Sequence, residues 1–156
     1  MILYKVIGAF IAIFSFAIML ETPKKYIGYA GLVGAIGWLV YLLVLEQTPN
    51  EIFATFLSAL AIAFVSQIFA RVFKLPVTVF LVAGILPTVP GSGMYRIVYY
   101  FIQNDTDMAA QYLAITLELA GAIAVGIFIV DALFRVSQKG WKQNSLLYPQ
   151  KGIAKK

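Results

Sequence analysis

A segment in the fourth apolar run combines helix-breaking residues with a nearby charge. The stretch from Pro87 to Gly93 has the sequence PTVPGSG, which cannot form a regular helix because proline lacks an N–H donor and glycine favours other backbone angles. A break inside a membrane span leaves backbone amides free at the start of the next half-helix, where the helix dipole attracts anions. We therefore expect a binding site for an anionic substrate group, formed by Pro87, Pro90, Gly91, Ser92, Gly93, Tyr95 and Arg96. Gly91 is expected to allow close backbone approach.

Two arrangements of this segment remain open. Either a broken helix crosses the membrane over residues 76–103, or the span continues to about Gly91 and the rest forms a helix on the membrane surface. Pro76 suits a first helical turn, and the apolar stretch from there to Leu86 is only ~16 Å long at ~1.5 Å per residue, about half a bilayer. Non-helical backbone at depth needs protein or a water-filled cavity around it. The choice therefore depends on the neighbouring helices.

Glu118 is the second candidate. It lies ten positions into the last apolar run, which places it ~15 Å from the start of that run, near the bilayer centre. An acid at that depth costs ~2.5–3.5 kcal/mol on insertion scales. Because Ala114, Gly121 and Ala122 share its face, we expect it to face a packed bundle or a cavity, with Arg96 as its partner. A transport or proton-handling role and a structural hydrogen bond both remain open.

The residue types that the chain lacks exclude several kinds of chemistry. With no His and no Cys, the chain has no disulfides, thiol nucleophiles, imidazole bases or zinc sites built on those ligands. A serine protease at Gly91-Ser92-Gly93 would need a lysine as its base, and none lies near Ser92 in sequence. We therefore expect no enzyme, no metal and no cofactor.

Five apolar runs must position these residues. The runs cover residues 2–20, 26–45, 52–70, 76–103 and 109–134, and most approach the ~20 residues of a spanning helix. The chain is 62% hydrophobic and 12% charged, against ~45–50% and ~25% in soluble proteins. The sequence predicts an all-α integral membrane protein with about five transmembrane helices, the fourth broken by Pro and Gly. Residues 1–136 form the predicted transmembrane domain, and residues 137–156 a basic cytoplasmic tail.

The charges between the runs predict the orientation. Their sign alternates from gap to gap, with Lys24 and Lys25, then Glu46 and Glu51, then Arg71 and Lys74, then Asp105 and Asp107. Since Lys and Arg favour the cytoplasmic side, we expect an N-out, C-in chain. The net charge of +5 then reflects membrane topology and not nucleic-acid binding. The first run lacks an Ala-x-Ala cleavage site and is expected to remain as a span.

Small residues predict how the helices pack. Gly28, Gly31, Gly34 and Gly37 recur every three residues along the second run, which is typical of a close helix contact, with a moving interface as the alternative. In the third run we expect a small and polar stripe to face other helices, consisting of Thr55, Ala59, Ala63, Ser66 and Gln67. Asp131, four residues before Arg135, predicts a local helix pair.

Four stretches of the chain resemble the threonine/serine exporter family. They are GLVGAIGW at 31–38, ARVFKLPVTVF at 70–80, PTVPGSGMY at 87–95 and LAGAIAVGI at 119–127. Pro87, Pro90, Gly91 and Tyr95 match the family element, whereas Glu118 matches no motif that we can assign. The resemblance is to the C-terminal half of the fused members, which corresponds to the small subunit of the two-component form.

This resemblance implies a multi-pass protein of the prokaryotic plasma membrane that exports threonine, serine or small dicarboxylates such as succinate. It also implies a larger membrane subunit as partner. A partner or a homo-oligomer is expected independently, because five spans leave little room for a full pathway and transporters are often built from two similar halves. The alternative hypothesis is a non-transporting membrane assembly or lipid-binding subunit, which the glycine ridge and the basic tail would also permit.

Overall fold

Six α-helices make up most of the described part of the chain. The computed structural model describes the backbone of residues 2–147 and the side chains of residues 2–136. The helices are α1 (Ile2–Met19), α2 (Ile27–Gln47), α3 (Glu51–Phe73), α4 (Thr78–Ile85), α5 (Gly91–Ile102) and α6 (Thr106–Leu147). No strand occurs within the described backbone.

The lengths and apolarity of these helices confirm an all-α integral membrane protein. Four helical segments can each cross a membrane, namely Ile2–Met19, Lys24–Gln47, Glu51–Phe73 and Thr106–Val136. Thr78–Thr88 and Gly91–Ile102 make up a fifth such unit, bent by 54° at the break between them. The broken fourth helix that the prolines and glycines predict is therefore present.

Local side-chain bonds fix where α3 and α6 begin. The Asn50 side chain accepts a hydrogen bond from the Phe53 amide at 3.1 Å, and Asp105 Oδ1 accepts one from the Met108 amide at 3.1 Å. Such caps satisfy amides that have no partner inside the helix. At the other end of α3, Lys74 adopts a left-handed conformation with φ 55°, two residues before Pro76, so the chain turns sharply into α4.

Helix α2 is central and packs against α1, α3 and α4, while α3 also packs against α6. The predicted glycine contact is confirmed at three of its four positions. Gly31 meets Phe10, Gly34 meets Ile13 and the Gly84 carbonyl, and Gly37 meets Ile62 and Ser58, whereas the space beside Gly28 is open. The single ridge therefore contacts three neighbours, α1, α3 and α4.

The polar stripe of α3 also faces other helices, as predicted. All five of its members are buried, and the nearby Ser58 hydroxyl donates to the Gly37 carbonyl at 2.8 Å. Such a bond ties two helices together where lipid offers no alternative partner.

Helix α5 packs on α6 and forms a hairpin with the first part of it. Glu118, twelve residues into α6, borders the same groove as Asn50 and Phe53 at the start of α3. Further along, Asp131 accepts a hydrogen bond from Gln67 of α3 at 3.2 Å. The twelve residues of α6 that precede Glu118 are ~18 Å long at ~1.5 Å per residue. This first part of α6 therefore lies before the point at which α6 comes beside the first turn of α3.

Candidate functional site

A cavity of about 390 Å³ lies at the break between α4 and α5. Its walls come from the break itself, α2, α3, α5 and α6. This volume is within the range of small-molecule sites, ~300–1,000 Å³. Five of the residues that the sequence predicts for a site line it, namely Pro87, Pro90, Ser92, Gly93 and Arg96.

Arg96 is held in this cavity by a tyrosine. Its Nη1 donates to the Tyr112 hydroxyl at 2.8 Å, and its guanidinium lies 5.1 Å from the centre of the Tyr112 ring. Tyr112 is in turn stacked on Tyr100, with ring centres 5.4 Å apart. Because a guanidinium carries five N–H donors, most of them remain free to bind an anion.

The first turn of α5 contributes backbone donors to the same cavity. No side chain caps this helix end, and within the described backbone the amides of Ser92 and Gly93 have no backbone acceptor. Gly93 packs directly on Thr116 of α6, so a side-chain carbon there would collide with the threonine hydroxyl. That hydroxyl donates to the Tyr112 carbonyl at 2.7 Å. Free amides and a guanidinium in one cavity are suited to a carboxylate.

The opposite wall carries groups that the sequence does not identify as site residues. Trp38 and Tyr41 of α2 are stacked with ring centres 5.0 Å apart, and the Tyr41 hydroxyl donates to Glu51 Oε1 at 3.2 Å. Thr55 also lines the cavity and is 3% exposed. The sequence marks Glu51 only as a charge between spans and Thr55 only as a packing residue. Their common site depends on how α2, α3 and the break come together.

Gly91 and Tyr95 do not line the cavity. Tyr95 is 68% exposed on the outer face of α5, and its ring is stacked on Tyr99. The space beside Gly91 is open and its backbone angles are ordinary. Within the described residues no protein atom approaches Gly91 closely, so a close approach of substrate there stays a prediction. The close helix contact is made by Gly93, because Gly93 is on the side of α5 that faces α6.

Glu118 is neither buried nor paired with Arg96 as the sequence suggested. It is exposed on α6 and borders an open groove of about 500 Å³ beside Asn50 and Phe53, level with the first turn of α3 and not with its middle. Glu118 lies near the middle of the segment Thr106–Val136 that can cross a membrane, so its depth near the bilayer centre stays a prediction. The first part of α6 packs against α5.

Asp131 forms the predicted local pair, with Arg135 Nε donating to Asp131 Oδ2 at 2.6 Å. The Gln67 bond described above uses the other carboxylate oxygen. Asp131 therefore links α6 to α3 through ordinary structural contacts. The predicted tail, residues 137–156, continues α6 as far as Leu147, and its last part, 148–156, lies outside the described residues.

Residues 5–133 match the family described as Threonine/Serine exporter, ThrE. The chain belongs to the threonine/serine exporter family. The matched region contains the break, all residues of the cavity and the four stretches on which the resemblance rests. Together with its apolar helices, membership of this exporter family makes the chain a multi-pass membrane protein.

The curated relatives that this chain matches are longer than it is. The threonine/serine exporter of Corynebacterium glutamicum is 27% identical over 131 residues, which is 84% of this chain and 27% of that protein. A probable threonine/serine exporter of Mycobacterium tuberculosis is 26% identical over 137 residues, 85% of this chain and 26% of that protein. An uncharacterized protein of Haemophilus influenzae is 28% identical, with 85% of this chain matching 48% of it. The chain thus spans about a quarter to a half of these relatives. No solved structure matches the chain.

Proposed function

We propose that this chain is a membrane subunit of a secondary transporter that exports small carboxylate-bearing metabolites from a prokaryotic cell. The cavity at the helix break is the proposed substrate site. Threonine and serine are the first candidate substrates, since two relatives are named as exporters of these amino acids. Dicarboxylates such as succinate are the other candidates.

The observation that carries this proposal is the position of Arg96. Its guanidinium and the free amides at the start of α5 line the same cavity, and both favour a negatively charged group. A non-transporting assembly or lipid-binding subunit would have no need for a partly open cavity with charged and polar groups between its helices. Transport is therefore favoured over that alternative and over an enzymatic role.

A larger membrane subunit is the proposed partner. The relatives contain much sequence beyond the part that this chain matches, and transporter pathways commonly form between two repeats. In this proposal the second subunit supplies the other side of the pathway, and a homo-oligomer of this chain is the fallback.

Replacing Arg96 tests the substrate site. Arg96→Gln keeps the approximate length and removes the charge, and charge-assisted hydrogen bonds contribute ~1.5–3 kcal/mol. We expect threonine transport at limiting concentration to fall about 10–100-fold, measured as uptake into inverted vesicles that contain this chain and the larger subunit. Lys5→Gln is the matched control, since Lys5 is an exposed cation of α1 away from the cavity. Normal transport by the Arg96 variant would contradict the proposed site.

A further inference from the structure

The cavity at the break contains one cation and one anion that face a common space. Arg96 and Glu51 both line it, yet within the described side chains they form no ion pair with each other. Each is hydrogen-bonded to a tyrosine instead, Arg96 to Tyr112 at 2.8 Å and Glu51 to Tyr41 at 3.2 Å. The two tyrosines thus hold opposite charges on different walls of the cavity.

We propose that Glu51 determines the substrate specificity of this cavity by accepting the ammonium group of an α-amino acid. The carboxylate of the same molecule is bound by Arg96 and the amides of α5. This role of Glu51 presupposes the export function proposed above. It adds a second recognition point to that site and favours amino acids over dicarboxylates as substrates.

The chemistry of Glu51 supports this assignment. An ionised carboxylate accepts several hydrogen bonds, and Tyr41 uses only one of them, on Oε1. An ammonium group has three donors and a positive charge that complement the remaining acceptors. A dicarboxylate bound through one end to Arg96 would instead bring its second negative charge towards Glu51. Like charges in a partly enclosed cavity repel, so discrimination against dianions follows.

A test of Glu51 must distinguish a role in substrate recognition from a purely structural role in α3. It is in the first turn of α3, where an acidic residue stabilises the helix N-terminus. The cap of α3 comes from Asn50, however, whose side chain bonds the Phe53 amide. A purely structural role of Glu51 would change the binding of all ligands to a similar degree, whereas a recognition role changes their ratio.

The experiment measures affinity for two ligands that differ in the amino group. Purified complex of this chain with its larger subunit is titrated calorimetrically with threonine and with 3-hydroxybutyrate, which is threonine without its ammonium group. The unsubstituted complex is expected to prefer threonine by about tenfold or more. In Glu51→Gln we expect this preference to fall to about twofold or less, mainly through weaker threonine binding. Succinate should bind the variant more tightly than it binds the unsubstituted complex.

Glu46→Gln is the matched control, because Glu46 is an exposed acid near the end of α2 that does not line the cavity. Its threonine preference should stay unchanged. If Glu51→Gln is poorly folded, Tyr41→Phe provides the second test. It removes the hydroxyl that holds Glu51 and should reduce the preference by a smaller factor.

An unchanged threonine preference in Glu51→Gln would overturn the role of Glu51. If Arg96→Gln still weakens both ligands in that case, the proposed substrate site stands and only the ammonium assignment falls. If the unsubstituted complex binds neither ligand, the proposed function and the role of Glu51 fall together.

Discussion

Neighbouring residues of α5 serve different surfaces. Tyr95 and Arg96 are adjacent in sequence, yet Arg96 lines the cavity and Tyr95 is 68% exposed on the other side. Successive residues of an α-helix point about 100° apart, because the helix has ~3.6 residues per turn. The same geometry separates Gly91, which has open space beside it, from Gly93, which packs on Thr116. Their roles therefore depend on the face of α5 that each occupies.

Alanine at Gly93 should disturb the site, whereas alanine at Gly91 should not. In Gly93→Ala the new methyl group displaces the Thr116 hydroxyl from its bond with the Tyr112 carbonyl or pushes α5 away from α6, moving Arg96. A lost hydrogen bond costs ~0.5–1.5 kcal/mol, so we expect threonine binding to weaken about tenfold. Gly91→Ala should remain within about twofold. Calorimetric titration of both variants checks this, and equal effects would contradict the packing of α5 on α6.

At the scale of elements, α2 is the helix around which the bundle is organised. It contacts α1, α3 and α4, and its glycines allow these helices to approach closely. In lipid, where burial of apolar groups does not itself drive association, such close contacts supply much of the packing energy. Helix α4 depends on the same contacts, since the Gly84 carbonyl lies against Gly34. The position of the break is therefore set in part by α2.

Leucine at Gly34 should destabilise the bundle. A side chain at this position would collide with Ile13 and approach the Gly84 carbonyl, and overpacking typically costs ~1–3 kcal/mol. We expect Gly34→Leu to lower the melting temperature of the detergent-solubilised protein by several degrees. Gly28→Leu is the control on the same ridge, since the space beside Gly28 is open. Helix propensity favours leucine over glycine at both positions, so a melting temperature that drops equally in both variants would show that contact with α1 and α4 at Gly34 is not the cause.

At the scale of the whole molecule, the hairpin of α5 and the first part of α6 has a large apolar surface that no other part of the described chain covers. No residue of α5 is buried, and its exposed apolar side chains are Met94, Tyr95, Val98, Tyr99, Phe101 and Ile102. The hairpin is formed by α5 and the part of α6 that precedes its contact with α3, so α3 does not cover most of it. Lipid could face an apolar surface, but aromatic residues are enriched in protein interfaces. We therefore expect the larger subunit to cover it.

Lysine at Val98 should weaken that association. Val98 is 58% exposed on α5, and a charge placed in an apolar interface must be desolvated without a partner. We expect Val98→Lys to reduce co-purification with the larger subunit at least about tenfold while the chain still inserts. Gln111→Lys is the control, since Gln111 is an exposed polar residue of the same hairpin. Undiminished co-purification of the Val98 variant would exclude this face as the contact.

Much of the architecture is determined by the sequence alone. Apolar runs as long as a bilayer is thick have to form helices, because in lipid each backbone N–H and C=O must bond within its own segment. Pro87 and Pro90 must interrupt the fourth helix, since proline lacks an N–H donor, whereas Gly91 and Gly93 lie within α5 with ordinary helical angles. Glycine spacing in α2 identifies a packing ridge, and Arg96 close to the break indicates the side of the cavity at which we propose that an anion binds.

Tertiary structure alone decided which residues share a site. Glu51 and Thr55 reach the cavity because α3 packs against α2 and α6 beside the break, and no spacing along the chain relates them to Arg96. Glu118 is level with the start of α3 because the first part of α6 packs against α5 before α6 reaches α3, an offset that hydropathy does not reveal. Membrane helices are defined locally by composition, whereas their relative height and rotation are set by side-chain contacts between segments that lie far apart in sequence.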